Sequence, residues 1–172
     1  MKIVKLIPVL AVSVWFTACS GSQEPATTQD ETTQESTETT ETQVAVDHPT
    51  EFTVKAIGNT MPEMQFDVDR ITLNAGKEIT ITLVNEGDNE TMMHNLVVIY
   101  NGYAEEVANN GMMQKDNGYI DPEDPAIIAA SPMSGPGETV SFTFTIDDPG
   151  TYQFVCTYPG HWSRMLGTIV AE

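Results

Sequence analysis

Residues 154–168, FVCTYPGHWSRMLGT, bring Cys156, His161 and Met165 into one short stretch, with four residues between the first two and three between the last two. A thiolate, imidazole nitrogens and a thioether together suit a copper ion that alternates between its cuprous and cupric states. Soft sulfur favours the reduced ion and imidazole serves both. A trigonal set of one cysteine and two histidines, with a weak axial methionine, needs a second imidazole from elsewhere in the chain, which holds three histidines in all. His94, in TMMHNLVV, stands at the start of an apolar strand-like run where a solvated histidine would be out of place, and it completes the set. His48 precedes Pro49 and receives no role. Pro159 restricts the dihedrals of the loop and Gly160 tolerates turns that other residues do not. Taken singly, each donor has an ordinary reading: a buried cysteine is inert, a strand-start histidine is a hydrogen-bonded core group, and a methionine fills a gap. Their joint spacing and context point to a metal centre.

The elements that must position these donors are strands. EFTVKAIG, EITITLVNEG, HNLVVIY, TVSFTFTIDDPGTYQFVC and LGTIVAE are rich in β-branched and aromatic residues and are separated by Gly, Pro, Asn and Asp clusters. Val140, Phe142, Phe144 and Ile146 alternate with Thr139, Ser141, Thr143 and Thr145, the pattern of a half-buried antiparallel strand. DDPG at 147–150 turns the chain into the next strand. The expected fold is therefore all-β, a two-sheet Greek-key sandwich. Residues 103–131 lose the alternation and read as an insertion on the outside of the sandwich, with a short helix near Ala104 to Asn109.

The chain of 172 residues carries 25 acidic against 7 basic residues. It is long enough for one medium-sized core, and its charge excludes phosphate-backbone recognition, so no nucleic acid is expected. Lys2 and Lys5, an apolar run from Leu6 to Phe16 and small residues before Cys19 form a secretory signal over 1–18, too short for a confident membrane span. Export implies an oxidising compartment. A Cys19–Cys156 bridge is possible by number, but it would join the mature terminus to the most constrained loop. Residues 19–48 are dominated by Thr, Glu, Gln and Ser and bury too little apolar surface to order, so they read as an acidic tether ahead of a domain over 49–172.

The ligand-loop motif CTYPGHWSRMLGT, with MMHN at 92–95 and MQFD at 64–67, resembles the cupredoxins, and within them azurin and the auracyanin-like proteins. The resemblance runs over roughly residues 50–172. It implies that His94, Cys156, His161 and Met165 ligate one copper ion, that the insertion is the family's helix-containing flap, and that backbone N–H groups of Asn95 and Tyr158 donate to the cysteine sulfur. It also implies that the Asn95 side chain ties the two ligand segments together, and that the His161 edge reaches the surface through an apolar patch where partners dock. Trp162, with Met92 or Met93, would enlarge that patch. The placement of Cys19 resembles a bacterial lipoprotein box, which implies lipidation of that cysteine, although Phe16 stands where such boxes usually have leucine. The chain departs from azurin at Met93, a glycine there, at Trp162, a small residue there, and in lacking a second cysteine for the azurin disulfide.

The expected function is one-electron transfer and not catalysis, because a copper ion closed by four ligands has no position open to substrate. A copper enzyme would need further histidines, and a binuclear centre a second loop cysteine. Zinc fits poorly with methionine. An ion-delivering protein is the alternative, with GMM at 111–113 as its thin support. From His48 onward 18 acidic residues stand against 5 basic, a balance that steers basic partners such as a cytochrome or a membrane oxidoreductase. The expected location is the periplasm or cell surface, on a bacterial membrane through the lipid.

Overall fold

The structure, a computed structural model, describes residues 46–172. The expected signal segment, Cys19 and residues 20–45 of the expected tether lie outside the described residues.

Among the described residues nine strands form two sheets. The first takes β1 (Glu51–Ile57), β2 (Gln65–Phe66), β4 (Glu78–Asn85) and β7 (Thr139–Thr145) in the order β2-β1-β4-β7. The second takes β3 (Arg70–Leu73), β5 (Val97–Tyr100), β6 (Ile127–Ala130), β8 (Gly150–Val155) and β9 (Leu166–Ala171) in the order β3-β9-β8-β5-β6. Period-two patterning explains how they meet: Val54, Ala56, Ile79, Ile81, Leu83 and Phe144 from the first sheet form one buried cluster with Ile71, Leu73, Val98, Phe154 and Ile169 from the second. Each Val, Leu, Ile or Phe side chain among them, removed from water, contributes about 1.5–3 kcal/mol. Pairing is mixed, with β1 parallel to β4 and β3 parallel to β9, a feature that local patterning does not encode.

A helix, α1 (Ala104–Gly111), and a single 3₁₀ turn (Lys115–Asn117) follow β5. Ala104 and Val107 of α1 pack with Val97, Ile99 and Val155, so the insertion covers the outer face of the second sheet. The expected boundary of that insertion needs correcting at its end. Ile127 to Ala130 are an edge strand paired with β5 and not part of an external flap. These residues are half-buried throughout and do not alternate, so only the backbone partner defines them as strand.

The strand expected from His94 begins instead at Val97. His48, given no role by the sequence, docks the start of the described chain: its N–H donates to Asn74 Oδ1 at 2.7 Å and its ring lies 3.2 Å from a Glu172 carboxylate oxygen.

Candidate metal centre

β5 and β8 are antiparallel neighbours with Val97 opposite Val155. His94 lies just before the first of these strands and Cys156 just after the second, so the pairing carries both to one end of the sandwich although 62 residues separate them. His94 exchanges two backbone hydrogen bonds with Ser134, at 3.0 and 2.7 Å. From Cys156 the chain folds back on itself: His161 N–H donates to the Tyr158 carbonyl, Met165 N–H to the His161 carbonyl and Cys156 N–H to the Met165 carbonyl, each at 3.0 Å. Gly160 makes this possible with φ of +84°, in the left-handed region that favours glycine.

The result is a triangle of donor atoms. His94 Nδ1 and His161 Nδ1 are 3.2 Å apart, and Cys156 Sγ lies 3.9 Å from the first and 3.7 Å from the second. A point equidistant from all three is about 2 Å from each, a bond length typical of a first-row metal to imidazole or thiolate. His94, Cys156 and Met165 are fully buried and His161 is 1% exposed. Among the described residues, His94, Cys156 and His161 are the group able to hold a metal ion, and a thiolate with two imidazoles is a donor set that suits copper.

Burial shapes their protonation. The Cys156 thiol is pushed up to about 11 by burial, opposed by hydrogen bonds from the backbone of Asn95 and Tyr158. Those are the two donors to sulfur that the resemblance implies. His94 is brought down to about 4 by burial and then by the adjacent His161, and His161 to about 4 by burial. Both imidazoles are thus neutral at neutral pH, with nitrogen lone pairs available to a metal, and binding a cation at the thiol displaces its proton.

A pH dependence of the copper-free protein follows. Both folded-state values lie below the ordinary 6.5 of an unfolded histidine, so the unfolded chain binds more protons between about pH 6.5 and about pH 4. The stability owed to the neutral imidazoles is complete above that window and is lost as pH falls through it. Urea unfolding of copper-free protein is expected to give a lower midpoint at pH 4.5 than at pH 7.5. Equal midpoints would mean that the imidazoles are not held neutral.

Asn95 joins the two ligand segments, as the resemblance implies. Its Oδ1 accepts from Thr157 N–H at 2.8 Å, while Nδ2 donates to Thr157 Oγ1 at 2.8 Å and to the Gly118 carbonyl at 3.0 Å. Ser134 was not legible as a site residue, since SPMSGPG carries only turn signals. Tyr158 packs against the His161 ring with centroids 4.7 Å apart and leaves it 1% exposed. Trp162 is half-buried against the cluster under α1.

Residues 52–172 match the description of copper-binding proteins of the plastocyanin/azurin family. The chain belongs to that family. Over 119 residues it is 37% identical to Auracyanin-A of Chloroflexus aurantiacus, covering 67% of this chain and 72% of the relative. Over 113 residues it is 38% identical to azurin of Alcaligenes faecalis, covering 62% and 88%. The solved structure of auracyanin A, described as a "blue" copper protein of Chloroflexus aurantiacus, superposes with a TM-score of 0.63 at 32% identity, over 71% of this chain and 98% of that one. As a cupredoxin the protein is a copper-binding electron carrier and not an enzyme, and the two-sheet fold expected from the strand pattern is that of its solved relatives.

Proposed function

We propose that His94, Cys156 and His161 would hold one copper ion, with Met165 as a further sulfur donor, and that the chain carries single electrons between extracytoplasmic redox proteins while tethered to a bacterial membrane through a lipid on Cys19. The convergence of two Nδ1 atoms and one Sγ in a buried triangle carries the reading of the site. Copper, when bound, supplies a one-electron couple. The residues supply the rest: a rigid loop that holds the donors in one arrangement for both oxidation states, backbone N–H groups that draw electron density from the sulfur and favour reduction, and burial that excludes water and substrate. An ion-delivering role fits less well with donors that are all buried.

Partners such as a cytochrome or a membrane oxidoreductase would meet the surface over the ligand loop. There Gly160 is exposed and Met61, 45% exposed, packs its methyl beside it. Weak contacts of small area suit a shuttle that must release quickly. The acidic surface supports a basic partner, and the signal pattern before Cys19 supports export and lipidation. Among the described residues no helix is long and apolar enough to cross a membrane; the attachment proposed is the lipid on Cys19. Treatment of cells with globomycin, which blocks lipoprotein processing, is expected to leave a larger precursor; unchanged size would remove the tether.

Potentiometric titration of the copper-loaded protein tests the carrier. A blue band that bleaches on reduction and returns on oxidation, with the ion retained, is expected. In Met165→Gln the potential falls, because an oxygen donor favours the cupric ion. Loss of copper at each cycle would turn the reading towards ion delivery, and an unchanged or higher potential would remove Met165 from the coordination sphere.

A further inference from the structure

We infer that Asn85, at the end of a strand that contributes no ligand, is the positioning residue for His94. The inference rests on His94 being a copper ligand. Along β4 the inward positions read Ile79, Ile81, Leu83 and then Asn85, all buried. Period two demands an apolar residue at position 85, and an amide there must find partners for its donors and acceptor. It does: Nδ2 donates to the Met92 carbonyl at 2.8 Å and to the Ser134 carbonyl at 3.1 Å, and Oδ1 accepts from Gly87 N–H at 3.0 Å.

Those partners are specific. The Ser134 carbonyl that receives the Asn85 amide is the same one that receives His94 N–H, and Met92 lies two residues before His94. Asn85 thus grips both the segment that carries the imidazole and the segment that pairs with it. Its backbone completes the clamp: Asn85 N–H donates to the Glu138 carbonyl at 2.9 Å, Gly137 N–H donates to the Asn85 carbonyl at 3.0 Å, and Ser134 Oγ donates to the Glu138 carbonyl at 3.0 Å.

The clamp matters because the second ring nitrogen has no hydrogen-bond anchor among the described residues. A ligating histidine ordinarily donates its second ring nitrogen to an acceptor that fixes its orientation, whereas His94 Nε2 is buried and finds no acceptor among the described residues. The direction of Nδ1 is then set by the backbone from Met92 to His94, and Asn85 holds that backbone. Asn95 performs a separate task, tying the following residue to Thr157.

The decisive substitution is Asn85→Asp, which keeps the shape and the acceptor for Gly87 but leaves at most one O–H in place of the two amide donations. In the copper-free variant, hydrogen exchange of the His94 amide is expected to rise at least about tenfold, the scale of one lost hydrogen bond, while the Met165 amide, in the ligand loop, changes little. In the copper-loaded variant the blue band and the potential shift. A normal spectrum, potential and His94 exchange would overturn the inference, as would an equal rise in exchange at every amide, which marks a merely structural role. His94→Ala separates this from the underlying reading: if the blue band survives there, His94 is no ligand, whereas a band lost in His94→Ala but unaltered in Asn85→Asp sinks only the clamp. Should the Asp variant fail to fold, the wild-type protein decides: slow exchange of the Asn85 side-chain amide protons, comparable to the His94 amide, is expected, and rapid exchange would overturn the clamp.

Discussion

Cys156→Ala is expected to give a folded protein that remains colourless with cupric ion. The intense visible absorption of a blue copper centre belongs to electron transfer from a thiolate to the metal, and Cys156 is the only cysteine in the described part of the chain. The side chain is fully buried within the main cluster, and in the copper-free protein its thiol is neutral at ordinary pH because burial raises it. Removing one sulfur atom leaves a small cavity, costing about 1–2 kcal/mol of copper-free stability, while the spectral effect is total. Absorption and urea unfolding of the same preparation separate the two consequences. A blue band in the variant would assign the colour, and with it the centre, to other residues.

The largest effect on folding is expected from Gly167→Ala. Gly167 lies opposite Phe154 in the β8–β9 pair, and a methyl group there would fall among the carbons of the Phe154 ring, closer than real contacts allow. The ring has nowhere to retreat. It is fully buried and packs against Phe66 with centroids 5.4 Å apart. Overpacking of this kind costs about 3 kcal/mol, and because Phe154 lies two residues before Cys156, the displacement also reaches the site. A urea midpoint close to wild type would show that β8 and β9 can separate locally without loss. The glycine is one of three residues, LGT, that continue the ligand-loop motif; the motif names it, and only the neighbouring strand gives it a reason.

Legibility follows the range of the interactions concerned. The alternation in β4 and β7 could be read directly, because period-two burial is written residue by residue. The helix near Ala104 was also legible. β6 was not, since Ile127 to Ala130 become strand only through β5. Asn85 carried a signal that could have been used: a polar residue in register with three buried aliphatics. The packing of Trp162 had no local signal, because it depends on α1 and the strands beneath it.

By itself the sequence determined the donor types, their spacing within one loop and the glycine that lets the loop turn. These are properties of neighbouring residues, set by side-chain chemistry and backbone dihedrals. Only the tertiary structure decided that His94 Nδ1 stands 3.2 Å from His161 Nδ1 and 3.9 Å from Cys156 Sγ. That distance depends on the pairing of β5 with β8, on Ser134 and on the Asn85 amide. Those contacts are made between residues far apart in the chain, where local propensity carries no information and only packing of the whole sandwich selects the register.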